Sequence, residues 1–348
     1  MEEYLPGIKH IVYLMLENRS LDNVLGYLYD NNEQDKPLKF IGGSSPYNGL
    51  YSGNYWNYNE KEHKIYVSKI QPSDGQYIPD VDPGEIYLDV KQQISEDNGN
   101  KMSGFLKNFQ KTATKHPERI MQAYTPDSLP VINSLAKKFA VSDAYYCSVP
   151  SNTDANRAFA LTGNSIGTYG DQKDTAMVNT MLYYNPLTDF PPYPFSRKSI
   201  WDVLYDNGYT KNEDWMIFYS QLWPELPHFP GSKCYTELML DSLQTCHMQG
   251  KFDTISTFYE LLRGKGGILP KFSYLEPRWC LYFNYKDKNI ANVNGNDYHP
   301  PANLGCGEEF LHPLFNELQS SEKYWDNTLL IINFDEHGGT YDHVEPPT

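Results

Sequence analysis

The chain has 348 residues, 40% of them hydrophobic, and a formal net charge of −15. That length suits one large α/β domain, or a core with a lid. The acidity argues against a nucleic-acid binder, which needs a basic face. No run of about 18 apolar residues exists, so no transmembrane helix is predicted. The acidic start, Met1 to Ile8, does not read as a secretory signal. The location therefore stays open, cytoplasmic or secreted after processing. Cys147, Cys234, Cys246, Cys280 and Cys306 are odd in number and lack C-x-x-C spacing, against a zinc ribbon or a full disulfide framework. A single bridge such as Cys234–Cys246 stays open.

Ile11 to Leu16 (IVYLML) is a short apolar run with β-branched and aromatic members, which predicts a buried strand. Residues 41–82 are rich in Gly, Tyr, Asn and Ser and read as surface loops. Helical spacing marks Met102–Ala113 and Leu129–Ala140, and Val141–Pro150 is strand-like. Asp154–Thr162 reads as a helix, and the Pro/Tyr-rich stretch Met181–Pro194 as a loop. Ser199–Tyr205 is helical and stops at Asn207-Gly208. Phe258–Arg263 is a helix before the turn Gly264–Gly267, Phe272–Leu275 a strand, and Gly307–Leu318 a helix. Leu329–Phe334 (LLIINF) is the second clear buried strand. Strands alternate with helices, which predicts a mostly parallel sheet covered on both faces, a three-layer α/β/α domain spanning 1–348. Segments 41–100 and 181–255 read as loop-rich insertions or a lid.

Both clear strands end in polar ligand types: Glu17-Asn18 after the first, Asp335-Glu336 after the last. Sites in open α/β sheets gather at the carboxyl ends of strands. Three carboxylates brought together repel, so a bound cation is expected. All-oxygen ligands suit Mg²⁺, Ca²⁺ or Mn²⁺, with Zn²⁺ left open. Acidic residues also follow strands in ordinary solvated turns, and spacing alone does not separate the two. The segment Ser148 to Arg157 joins a strand to a helix, which puts a hydroxyl near free N–H groups suited to phosphate. Ser151 and Thr153 are both candidate nucleophiles, or plain helix caps. His247, His299, His337 and His343 lie near these motifs or in Pro/Gly loops, and an imidazole can protonate a leaving alkoxide.

Three stretches resemble one family, that of bacterial phospholipases C, their acid-phosphatase relatives and plant non-specific phospholipases C. Glu17-Asn18-Arg19-Ser20-Leu21-Asp22 is similar to its E-N-R-S-F-D motif. Ser148 to Arg157 is similar to S-V-P-x-x-T-x-P-N-R, and Phe334 to Val344 (FDEHGGTYDHV) to Y-D-E-H-G-G-F-Y-D-H-V. Leu129-Pro130, Leu135-Ala136, Phe139-Ala140, Asp143, Leu269-Pro270 and His299-Pro300 fall in the same order, and Asp82-Pro83-Gly84 resembles a turn of the plant members. The resemblance runs from about Ile8 to Pro347.

It implies an alkaline-phosphatase-like fold and one divalent metal ion on Glu17, Asn18, Thr153, Asp335 and Glu336. It also implies Thr153 as a nucleophile that forms a phosphothreonine and His299 beside the leaving group. His247, His337, His343 and Arg157 are weaker substrate or phosphate contacts. The implied substrate is a phosphate ester, a membrane phospholipid such as a phosphatidylcholine-like diester or else a phosphomonoester. Leu21 replaces the usual Phe, which is expected to alter packing only, and Thr340 replaces an aromatic. Asp154-Ala155 replaces Asn-Pro or Gln-Pro and adds a negative charge beside Thr153, which would favour diesters. A non-catalytic headgroup- or glycan-binding protein on the same fold is the competing reading, since Tyr-rich loops at Tyr47–Tyr58 and Tyr183–Tyr193 could grip a ligand or simply pack. A sulfatase is disfavoured by the lack of a C-x-P-x-R or S-x-P-x-R motif. Leu329–Phe334 is apolar on both faces and is expected inside the sheet with a neighbour on each side. Little chain follows it, so a further segment, or a companion chain of the same precursor, is expected to complete the fold.

Overall fold

The computed structural model describes residues 6–29, 39–40, 47–50, 54–165, 198–220 and 234–347, apart from 72, 74, 76, 98, 114, 245–247, 249, 286–287 and 293–294. His247, Cys246 and the loop Met181–Pro194 lie outside these residues. Five strands build the central sheet: β1 (His10–Leu16), β2 (Trp215–Tyr219), β3 (Phe252–Thr254), β4 (Phe272–Glu276) and β5 (Thr328–Phe334). Their order is β5-β1-β4-β2-β3, and every pairing is parallel.

Alternation along the strands sends side chains into two cores. Val12, Leu14 and Leu16 of β1, Met216 and Phe218 of β2 and Leu275 of β4 face one side. There they meet α1 (Leu21–Leu25), α4 (Pro130–Lys138), α8 (Ile255–Leu262) and α9 (Leu304–Gln319). Tyr13, Trp215, Ile217 and Tyr274 face the other side, against α5 (Thr153–Thr162), α6 (Ile200–Asp206) and α7 (Tyr235–Met239). The protein is thus an α/β fold with helices flanking a parallel sheet. Besides these, α2 (Tyr87–Gln93) and α3 (Phe105–Phe109) lie in the first third of the chain. A third core gathers Leu50, Val67, Met102, Phe105, Leu106 and Phe109 under Tyr341.

Local chemistry sets the element ends. Pro130 opens α4 at a position that needs no N–H. Ser199 and Asp202 form a capping box at α6. Gly163, at φ 69°, ends α5 in the left-handed conformation that glycine adopts freely.

Within the loop-rich stretch 181–255, the aromatic run Trp215–Tyr219 is a central strand and Phe252–Thr254 extends the sheet. One expectation changes. Val141–Pro150 is not a strand: only Ala140–Val141 pairs, and beyond it Pro150 and exposed Tyr145 and Tyr146 leave no ladder to join. Among the described residues the strand at Leu329–Phe334 pairs on one side only, with β1, and its mid-strand Ile331 is 36% exposed.

Candidate functional site

The register that pairs Leu16 with Phe334 brings the ends of β1 and β5 level. Glu17, Asn18, Asp335 and Glu336 therefore emerge side by side, and all four are buried. Asn18 has a φ of 53°, uncommon for a residue with a Cβ. That turn lets its backbone N–H donate to Asp335 Oδ1 at 2.9 Å. Gly338 packs so closely that a Cβ there would lie 2.0 Å from the Asn18 carbonyl oxygen. No residue but glycine fits this crossing of the two motif loops.

Thr153 opens α5 and points its hydroxyl at this corner. Its Oγ1 lies 3.0 Å from Glu17 Oε2 and 2.9 Å from Asn18 Oδ1, able to donate to either. Ser151, the other hydroxyl candidate, is buried, and its carbonyl accepts from Asn156 Nδ2 at 2.8 Å. The geometry thus puts the Thr153 hydroxyl against Glu17 and Asn18. The N-cap Asn152 makes no side-chain cap bond, which leaves the first N–H groups of the ten-residue α5 unbound by a cap.

Arg157, one turn on, is wholly buried. Its Nε donates to Glu17 Oε1 at 2.6 Å, its Nη1 to the Tyr274 hydroxyl at 2.9 Å and its Nη2 to the Met15 carbonyl at 3.0 Å. The guanidinium lies 4.6 Å from the Trp279 ring centre and 3.8 Å from Asp335 Oδ2. Burial opposes the guanidinium charge, but Glu17, Tyr274, Asp335 and Glu276 together outweigh it and raise the Arg157 pKa. Burial drives the Glu17 pKa up, Arg157 pulls it back and Asp335 pushes it further up. Each guanidinium nitrogen of Arg157 thus makes a hydrogen bond to protein atoms beneath Glu17.

Glu336 Oε2 accepts from the Gly338 N–H at 2.7 Å, and His337 Nδ1 lies 3.2 Å from the same oxygen. His337 Nε2 meets Gln93 Oε1 at 2.7 Å, and burial lowers the imidazole to about 4. His337 thus sits between Gln93 and Glu336. Two buried carboxylate oxygens, Asp335 Oδ2 and Glu336 Oε1, have no hydrogen-bond partner. Such orphans are costly. Together with Glu17, the Asn18 amide and the Thr153 hydroxyl they make an oxygen-rich set that fits a hard divalent cation. The three carboxylates are not drawn within 4.8 Å of one another, unlike two other acidic groups of the chain: Asp22–Asp342–His343 and Asp82–Glu85–His299.

The Asp82–Glu85–His299 group borders the site. Asn18 Nδ2 contacts Glu85 Oε1 at 2.5 Å and His299 Nε2 at 3.0 Å. His299 Nε2 lies 3.6 Å from Glu85 and its Nδ1 3.9 Å from Asp82. Burial opposes protonation of His299, but Asp82, Glu85 and Asp297 raise its pKa to about 9. Glu85 was not among the sequence candidates. The preceding Asp82-Pro83-Gly84 turn was the available signal. Asp154 accepts from the Tyr235 hydroxyl at 2.7 Å, and burial lifts it to about 6. His343 faces Asp22 and Asn48 rather than Thr153.

A model of the family described as "Phosphoesterase family" matches residues 8–348. The chain belongs to the phosphoesterase family. It is 29% identical to non-specific phospholipase C1 of Arabidopsis thaliana over 98% of this chain and 54% of that protein. It is 25% identical to phospholipase C B of Mycobacterium tuberculosis over 99% of this chain and 61% of that one. For the non-hemolytic phospholipase C of Burkholderia pseudomallei the identity is 24%, covering 98% and 45%. The chain spans about half to three-fifths of the length of these curated relatives. Among the described residues no helix is long and apolar enough to cross a membrane.

Proposed function

We propose that this phosphoesterase-family chain hydrolyses phosphate diesters of the phosphatidylcholine type, as a phospholipase C, through Thr153. The observation that carries the reading is the Thr153 hydroxyl held against Glu17 and Asn18 at the start of α5, beside the unpartnered oxygens of Asp335 and Glu336. Glu17, Asn18, Thr153, Asp335 and Glu336 would hold one divalent ion, whose charge lowers the hydroxyl pKa and offsets the anionic ester. Thr153 Oγ1 attacks phosphorus, its proton passes to Glu17 Oε2, and the bond to the leaving alkoxide breaks. His299 gives that alkoxide its proton. Water then cleaves the phosphothreonine and frees Thr153. The free N–H groups of α5 steady the equatorial oxygens. Asp82 and Glu85 keep His299 charged in the free site. Asp154, beside Thr153, adds anionic character that suits a diester better than a phosphate dianion.

A substrate panel tests this reading: phosphatidylcholine, phosphorylcholine and nucleotides, each with and without chelator. Diester cleavage that stops with chelator and returns with Mg²⁺, Ca²⁺, Mn²⁺ or Zn²⁺ is the expected result. Full turnover in metal-free protein would overturn the metal requirement. Cleavage of monoesters alone would move the reading to an acid phosphatase, and binding of a choline headgroup without turnover to a binding protein.

A further inference from the structure

Asn18 is held everywhere except at its amide. Its φ of 53° and the N–H bond to Asp335 Oδ1 at 2.9 Å set its backbone. A Cβ on Gly338 would lie 2.6 Å from the Asn18 Cβ, so the crossing loop packs against the root of the side chain. What is left is a half-turn of the amide about its last torsion, which exchanges Oδ1 and Nδ2 with little change in shape. Hydrogen bonds choose between the two orientations. The choice matters, because the amide oxygen can ligate a hard cation and the amide NH₂ cannot.

Among the described residues three groups meet this amide. Thr153 Oγ1 lies 2.9 Å from Oδ1. A hydroxyl both donates and accepts, so it could meet either end of the amide and does not decide. His299 Nε2 lies 3.0 Å from Nδ2. It accepts from Nδ2 only when that ring nitrogen carries no proton, and with a proton it would favour Oδ1 instead. Glu85 Oε1 accepts from Nδ2 at 2.5 Å, and a carboxylate only accepts. Glu85 is thus the partner that demands the orientation seen. Glu85 is itself held in place. The Gly84 carbonyl before it accepts from Gln93 Nε2 at 2.6 Å. A Cβ on Gly339 would lie 2.7 Å from that same carbonyl oxygen, so the loop that follows Glu336 packs on the turn that presents Glu85.

We infer that Glu85 is a positioning residue: it holds the Asn18 amide with Oδ1 turned toward Thr153 and Nδ2 turned away, so that Asn18 offers oxygen to a divalent cation. This role rests on the metal-assisted reading above, and it gives Glu85 no part in the chemistry itself. Without Glu85, a protonated His299 would draw Oδ1 to itself and turn Nδ2 toward Thr153 and Glu17. Groups that orient a ligand in this way are typically worth about 10–100-fold in metal affinity.

The test compares Glu85→Gln with Glu85→Met in the full chain. Both remove the charge, and only Glu85→Gln keeps an acceptor for Nδ2. Mn²⁺ is titrated by calorimetry and by the electron paramagnetic resonance of the free ion, with folding followed by circular dichroism. Glu85→Gln should bind Mn²⁺ about tenfold or more tighter than Glu85→Met. In an Asn18→Asp background, where the side chain is the same either way round, the two should agree within about threefold. Should Glu85→Met not fold, Glu85→Leu is read in its place. Equal Mn²⁺ affinity of the two variants overturns the role of Glu85 and leaves the metal site standing. So does a difference that persists undiminished in the Asn18→Asp background. A wild-type chain that takes up no Mn²⁺ overturns the metal site, and the role of Glu85 with it.

Discussion

Strands β1 and β5 lie side by side, yet their two ends are furnished differently. At the start of β1, Lys9 N–H donates to the Asn327 carbonyl at 2.8 Å and Ile11 N–H to that of Lys271 at 2.8 Å. There His10 Nδ1 meets the Pro270 carbonyl at 2.9 Å, and its ring lies edge-on to Tyr324. Six residues further on, the same pair of strands ends in Glu17, Asn18, Asp335 and Glu336, all buried, with two carboxylate oxygens unpartnered. One end is arranged for stability. The other concentrates buried charge that folding alone would avoid, and natural proteins accept such costs mainly where function requires them. Substitutions at the two ends should therefore fail in different currencies, activity at one and stability at the other.

The largest contrast belongs to Thr153. Thr153→Ala should lower diester turnover by on the order of 10³-fold or more while leaving the melting temperature close to wild type. Thr153→Ser should keep part of the activity, and Ser151→Ala most of it. Steady-state kinetics beside thermal unfolding reads both. A loss of activity on Ser151→Ala that exceeds the loss on Thr153→Ala would show that the hydroxyl facing Glu17 is a bystander.

Arg157 blurs the contrast, because it lies at the charged end yet is structural. Removing one partner of a buried ion pair strands the other, which costs roughly 3–5 kcal/mol. Arg157→Met should thus destabilise by about that amount, and adding Glu17→Gln should recover a large part of it. Chemical denaturation of the two variants checks this. Equal stability of Arg157→Met and wild type would mean that Glu17 does not depend on the guanidinium.

What the sequence made legible was the charged end. Two apolar runs followed by Glu-Asn and Asp-Glu marked β1, β5 and their corner, because strand ends and ligands are contiguous in the chain. Thr153 was legible as one of two hydroxyls, and only the helix start, with Oγ1 toward Glu17, separates it from Ser151. Less legible was whatever depends on pairing between distant segments. Glu85 meets Asn18 from 67 positions away, with no local pattern to announce it. Asp22 and His343 are 321 positions apart. The sheet order is a matter of topology: β5 pairs with β1 from the other end of the chain, and strand order is not written in composition. Trp215–Tyr219 was different, a five-residue apolar run that could have been read as a strand but lay in a stretch dominated by loop residues.

His299 sharpens the comparison within the charged end, since its part is confined to proton delivery. His299→Ala should slow esters with poor leaving groups by about 10²-fold, and p-nitrophenyl esters far less, because a good leaving group needs little protonation. The ratio of the two losses is the readout. Equal losses on both substrates would place His299 in the binding or positioning of the ester instead.

The smallest effect belongs to the quiet end. Burial, with Lys323 and Lys9 nearby, lowers the His10 pKa below its usual value, although the Pro270 carbonyl works the other way. The folded state thus prefers the neutral ring. For a group whose folded pKa is depressed, the stabilising contribution is present above the unfolded pKa of about 6.5 and is lost as pH falls through the folded value. His10→Phe removes the titration while keeping a ring against Tyr324. The wild-type protein should therefore lose stability relative to His10→Phe between about pH 8 and about pH 5, the range in which an imidazole titrates. The ring is only half-buried, so solvent screening keeps the change small. Melting temperatures of both proteins across that range measure it, and buffer changes that disturb the acidic end act on both alike. A difference that stays constant with pH would show that folding leaves the His10 titration unchanged, and one that grows in favour of wild type on acidification would show that His10 folds in its charged form, so that this end too holds a charge the folded chain must accommodate.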